Sequence, residues 1–439
     1  MRKLFCVSSK RKKSTTSSVF KKDSVFQQKR VNREDFVVSG VSNKLLVKDS
    51  KELEEQQFLI EECHNSIFYI FDKLQSINIR CVTNSIIILN IVETFIHLKS
   101  CKSCVIYGVC QQLRILDSIN IDSRIGTVSQ PTMENSFMIK FHQLMFYTSN
   151  LEEQINRSQI SPFNLFFDSI LDITPDEKNY EIAKQSSQRN LSPFHMINTN
   201  LGDIPGNVCQ LTTCLLENVA EINLFNSPWM RNVVTTNVKQ SLLPKIRGFR
   251  DFDKGSGIFE ILLLSADLQD DLRRHGISVL NLIQRYITQD IIFTFEGYFS
   301  TSDIQRIFST DRKKLNLKKG VMILMCLLLK ETRDREMLSK VILNYCNQML
   351  QGVHSILLLS GHVDGDQMID IERELKNFFT NRKVKDIKGI VGFRLGCEIQ
   401  IQYGIIEEIN DGRGVNFIIA NDENVINITS IERKSVNDI

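Results

Sequence analysis

From residue 50 onward the apolar positions suggest helix. Ile67, Phe68, Ile70, Phe71 and Leu74, preceded by Leu53, Phe58 and Ile60, include pairs three and four apart, the spacing of one helix face. Residues 85–98 and 105–119 are dense in Ile, Leu and Val and read as buried helices. Thr174-Pro175-Asp176-Glu177 has the chemistry of a helix start: a Thr cap, Pro in the first turn and Glu three residues after the cap. From residue 258 to 379 the pattern predicts helices at 258–273, 277–295, 301–309, 318–331, 335–351 and 366–379. The period then changes. Glu398-Ile399-Gln400-Ile401-Gln402-Tyr403 alternates strictly, as a half-buried strand does. Asp411-Gly412-Arg413-Gly414 is turn chemistry, Val415–Ala420 reads as the return strand, and Val425–Ile428 as a third.

The fold class expected from this pattern is mainly α. It is a multi-helix body with a small C-terminal antiparallel β meander at 390–432 and a disordered basic N-terminal tail. Domain bounds follow from the breaks: a tail at 1–45, a helical domain at 46–190, a connector at 191–257, a helical domain at 258–386 and the meander at 387–439. The connector is marked by Pro193, Pro205, Pro228 and Pro244 with Gly202, Gly206, Gly248 and Gly255. No repeat of about 20–50 residues stands out, so the pattern gives no ground for a solenoid.

Composition agrees with a folded chain. Of 439 residues 42% are apolar and 24% charged, and the net charge is +3. The longest apolar run, Val321–Leu329, spans about 14 Å as a helix, half of a bilayer core, so no transmembrane helix is expected. Leu4-Phe5-Cys6-Val7 is too short for the apolar region of a secretory signal. Eleven cysteines, an odd number on a long chain, fit a reduced compartment with thiols as small buried groups.

The charge is unevenly placed. Residues 1–35 hold eleven Lys/Arg against Asp23, Glu34 and Asp35, so this segment carries +8 and the remainder −5. Three readings of it stand: a solvated tail, a nuclear-import and weak nucleic-acid contact segment through Lys10, Arg11, Lys12, Lys13, Lys21 and Lys22, and an organelle transit peptide. The Ser/Thr stretch Ser14–Ser18 is poor helix material, which favours the nucleus over a mitochondrion.

Chemical motifs are sparse. No phosphate loop, dinucleotide fingerprint, nucleophile elbow or His-Glu-x-x-His occurs. The metal candidate is His97-x3-Cys101-x2-Cys104-x5-Cys110, because a Cys-x2-Cys pair can place two thiolates on a tetrahedral zinc with His97 and Cys110 completing it. The alternative is a set of thiols facing a core. A second candidate is the loop with His362, Asp364 and Asp366, suited to a divalent cation or to acid–base work, or else to capping a helix near Gln367.

Within 258–360, Leu327-Leu328-Leu329-Lys330-Glu331-Thr332-Arg333, Leu338, Val341-Ile342, Tyr345 and Gly352-Val353…Ser360 resemble the helix pair of the delta subunit of the F-type ATP synthase stalk. The resemblance covers about a quarter of the chain. That family's glycine-containing strand signature is not clearly met by Gly389-Ile390-Val391-Gly392-Phe393, and the first 250 residues have no place in it. It implies a stalk adaptor of a rotary motor. Without a catalytic set, the expected function is a non-enzymatic helical adaptor or scaffold that binds other protein subunits, nuclear and chromosome-associated. The stalk adaptor and a metal-dependent enzyme or zinc protein are the alternatives.

Overall fold

The computed structural model describes most of residues 36–183, the segments 191–192, 233–246, 257–300, 320–329 and 353–363, and the strands at 402–407, 416–421 and 424–427, with short gaps. Lys10–Lys13, Lys21, Lys22, Asp364 and Asp366 lie outside the described residues.

The helical expectation for the first half is overturned. Residues 37–183 form a β-solenoid of parallel strands in two columns. One column contains β1 (Val37–Ser39), β3 (Gln57–Glu61), β5 (Ser76–Arg80), the second half of β6 (Ile86–Lys99), the second half of β7 (Lys102–Leu116), β9 (Thr132–Glu134) and β12 (Leu171–Asp172). The other contains β2 (Leu45–Lys48), β4 (Ile67–Ile70), the first halves of β6 and β7, β8 (Ile119–Thr127), β10 (Ile139–His142) and β13 (Tyr180–Ala183). The in-register line Leu59, Asn78, His97, Arg114, Thr132 sets a repeat of 17 to 19 residues. That period is shorter than the repeats sought in the sequence.

The repeat is written in its corners. Asn65, Asn84, Ser103, Asn120 and Met138 stack at positive φ on successive coils, and Glu62, Cys81, Ser100, Asp117 and Asn135 do so three residues earlier. Asn tolerates this left-handed conformation better than most side chains. At three of these corners the N–H donates to the next coil: Asn65 to Thr83 O, Asn84 to Lys102 O, Asn120 to Phe137 O. Backbone groups at the turns are thus satisfied by stacking, not by helix ladders. Between the columns Ile60, Ile79, Leu98, Ile115 and Met133 pile up in a fully buried interior.

The middle of the second column, β4 and the first halves of β6 and β7, is buried on both faces. Its far side carries Ile67, Tyr69, Ile86, Ile88, Val105, Tyr107 and Val109, which share a core with Leu272, Ile277, Leu280, Ile283, Ile323 and Met325 from the second half of the chain. Strands buried on both sides read as continuous apolar runs. A short helix, α1 (Leu151–Arg157), packs on the same side, next to the small antiparallel pair β11 (Tyr147–Thr148) and β14 (Val234–Thr235). Asn90, the polar break in the run Ile86–Val92, donates through Nδ2 to Phe71 O (3.1 Å) and Asn150 Oδ1 (2.8 Å) and accepts from Thr148 Oγ1 at 2.9 Å.

The second half is a seven-stranded antiparallel sheet with one described long helix, which corrects the expected helical body from 258. Strands β15 (Gly257–Ala266), β16 (Asp290–Phe299), β17 (Gly320–Leu329) and β18 (Val353–Val363) carry α2 (Gln269–Tyr286) on one face. Leu327–Leu329, central to the stalk-subunit resemblance, lie in β17, so the helix pair on which that resemblance rests is absent there. Leu338, Val341, Ile342 and Tyr345 lie outside the described residues. The C-terminal strands β19 (Gln402–Glu407), β20 (Asn416–Asn421) and β21 (Asn424–Asn427) are antiparallel, but they extend this sheet through β18 rather than forming a separate meander on helices. Arg273 on α2 ties the halves together. Its Nε donates to both carboxylate oxygens of Glu296 (2.9 and 3.1 Å), and its Nη1 donates to Ser158 O just after α1 (2.7 Å). Among the described residues no helix is long and apolar enough to cross a membrane.

Candidate functional site: the outward face of the solenoid

The first column buries one face and presents the other. Its strands therefore alternate: on β6 Phe95, His97 and Lys99 point outward while Ile96 and Leu98 are buried, and on β7 Gln112, Arg114 and Leu116 point outward around Leu113 and Ile115. In register with these stand Asn78 and Arg80 on β5 and Thr132 and Glu134 on β9. The result is a flat polar surface on a rigid parallel ladder.

Its centre is Arg114. The guanidinium Nη2 lies 3.0 Å from Glu134 Oε2, with half of the Arg side chain exposed. Glu134 fixes the direction of the side chain and leaves its other N–H donors available. Exposed Gln111 and Gln112 precede it at the bend of β7, and exposed Phe95 lies opposite Gln112. His97 stands beside Arg114 in register. Burial pushes its pKa down, and the charges of Arg114, Arg80 and Lys99 add to the effect. His97 Nε2 is buried without a hydrogen-bond partner. The side chains of this face offer guanidinium, ammonium and amide donors, chemistry that pairs with carboxylate, phosphate and carbonyl oxygens.

The metal candidates are dispersed. His97 faces outward, whereas Cys101, Cys104 and Cys110 are buried in the solenoid interior. Cys101 Sγ donates to Ile79 O and Lys99 O (3.5 Å each), and Cys104 Sγ to Val82 O and Lys102 O (3.4 Å each). Burial raises the Cys101 pKa to about 11 and drives those of Cys104 and Cys110 higher, which disfavours thiolate. The three thiols serve as corner and core groups in positions that Ser118, Ser85 and Val92 occupy on other coils. No group of three or more His, Cys, Asp or Glu able to hold a metal occurs among the described residues. His362 lies on β18, paired in register with Ile258.

Sequence reasoning missed Arg114, Glu134 and Arg80. The signal available was the polar half of the alternation Gln112-Leu113-Arg114-Ile115, hidden by the apolar run before it.

Residues 55–173, nearly the whole solenoid, match the family model described as Tubulin binding cofactor C. The chain is similar to Protein XRP2 of Homo sapiens, 30% identical over 163 residues, which is 37% of this chain and 47% of that protein. It is similar to Protein XRP2 of Mus musculus at 27% over the same length and shares. It is also similar to TBCC domain-containing protein 1 of Xenopus tropicalis, 30% identical over 95 residues, 22% of this chain and 17% of that protein. The chain thus spans about half the length of the XRP2 relatives it matches. The family match falls on the solenoid, whose parallel strands correct the expectation of a helical scaffold.

Proposed function

We propose that this chain is a protein-docking module that binds tubulin, or a subunit like it, through the outward face of its solenoid. The observation that carries the reading is Arg114, half exposed and aimed by Glu134 on a rigid ladder, inside the stretch that matches Tubulin binding cofactor C. A guanidinium held by one carboxylate at a protein surface suits a hot spot, because its fork meets a carboxylate or phosphate bidentately. Fluorescence anisotropy of labelled tubulin titrated with the full chain tests it. Arg114→Ala weakens binding by roughly tenfold or more. Glu134→Gln weakens it less, because the guanidinium remains but loses its orientation. No tubulin binding by the wild-type chain, or equal affinity for Arg114→Ala, contradicts the reading.

The same exposed donors favour a second reading. A guanidinium offered in trans can stabilise charge on a phosphoryl group in transfer. If Arg114 does this for a nucleotide held by the partner, the chain accelerates nucleotide hydrolysis by that partner and Arg114→Ala abolishes the acceleration. An unchanged hydrolysis rate with bound wild-type chain leaves docking alone.

A further inference from the structure

One row of the outward face sets two cations side by side. Glu61, Arg80, Lys99, Leu116 and Glu134 stand side by side in register on β3, β5, β6, β7 and β9. Strands in a sheet lie about 4.8 Å apart, so the Arg80 and Lys99 side chains leave the ladder as neighbours. Like charges directly opposite one another destabilise a sheet. Both side chains are exposed, and neither forms an ion pair with a described residue. Arg114 adds a third cation from the adjoining row. His97 stands in register with Arg114 and two residues before Lys99 on the same strand, so the three cations lie on one face of the ladder around it.

We infer that Arg80 and Lys99 form a seat for the carboxylates of an acidic segment of the protein partner, laid against Leu116 and Phe95. This rests on the docking reading and names the chemistry the partner brings to it. Charge complementarity selects an anion. Glu61 and Glu134 bracket the pair and limit the positive strip to about two strand spacings. An acidic peptide sets one or two carboxylates in that strip and its other groups on Leu116 and Phe95. A nucleic-acid backbone or an anionic lipid surface continues past the strip and meets the two bracketing carboxylates.

The probe is a fluorescein-labelled hexaglutamate peptide titrated with the full chain, beside a separate titration with tubulin. The peptide is expected to bind, with affinity falling as salt rises from about 0.05 to 0.3 M. Arg80→Ala with Lys99→Ala weakens it about tenfold, Lys99→Arg retains it, and Glu61→Gln tightens it about threefold. Circular dichroism of each variant checks that the fold is kept. Peptide affinity unchanged in the double variant, or loosened by Glu61→Gln, overturns the inference. So does tighter binding of duplex DNA or of phosphatidylserine vesicles than of the peptide. Tubulin binding that the peptide does not displace and the double variant does not weaken also overturns it, while leaving the docking reading intact. Peptide binding at Arg80 and Lys99 without any tubulin binding supports the seat and removes tubulin as the partner.

Discussion

Arg114 and His97 are neighbours in register, yet the solenoid treats them differently: one is turned to solvent and steered by Glu134, the other is half sunk among cations. The cationic form of His97 is therefore disfavoured in the fold relative to the unfolded chain. The unfolded chain takes up the proton first as pH falls, so this group's contribution is intact above the ordinary His value and is lost as pH drops below it. Urea unfolding at pH 7 and pH 5 is expected to show a smaller drop in stability for His97→Gln than for the wild type. An equal drop would show that His97 is not responsible. Asn84 makes a second test at this scale. Its φ of 46° strains a β-branched side chain, so Asn84→Val is expected to cost about 1–2 kcal/mol, read from the urea midpoint, and Asn84→Gly much less. The recurrence of Asn at 43, 65, 84 and 120 was legible in the sequence as a spacing of about twenty. It was masked because Ser103 and Met138 take the same place on other coils.

The strands of the second column explain why helices were expected. Ile86–Val92 and Val105–Val109 are packed on both faces, so their sequence keeps no alternation, and an apolar run of that length has no period by which to tell strand from helix. The other column was legible in part: the polar–apolar alternation at Gln112–Ile115 is that of a half-buried strand. At the C-terminus the alternation at Glu398–Tyr403 reads as a strand, of which residues 398–401 lie outside the described residues and β19 begins at Gln402; the segments read as return and third strands fall on β20 and β21. Thr174, read as a helix cap, accepts a hydrogen bond from Asn135 N at 2.7 Å between neighbouring strands of the first column, while residues 175–178 lie outside the described residues. Such a long-range use of a capping residue leaves no local mark. On α2, Gly276 lies so close to its surroundings that an added Cβ would stand 2.5 Å from Ile323 Cδ1 and 3.0 Å from Phe163 Cζ. Gly276→Ala is expected to lower stability by about 1–3 kcal/mol through overpacking, although Ala is the better helix former. A gain in melting temperature would contradict that close packing.

At the scale of the molecule, a solenoid with one open face is joined to an antiparallel sheet by a continuous core and by the Arg273–Glu296–Ser158 contact. Removing one partner leaves a buried charge alone, so Arg273→Ala is expected to cost roughly 3–5 kcal/mol in denaturant unfolding. The joint covers the middle of the second column and leaves the first free, which is why docking is assigned to Arg114 and its neighbours. That division of faces was invisible in the sequence, because it depends on contacts between residues more than a hundred positions apart, such as Tyr69 Oη donating to Leu191 O. The most direct test places a photo-crosslinking p-benzoylphenylalanine at Gln112, on the outward face, or at Lys140, exposed on β10 of the other column, and irradiates the full chain with tubulin. The account predicts a cross-linked product from position 112 that Arg114→Ala suppresses, and none from position 140. Cross-linking from 140 alone, or equally from both, would contradict it.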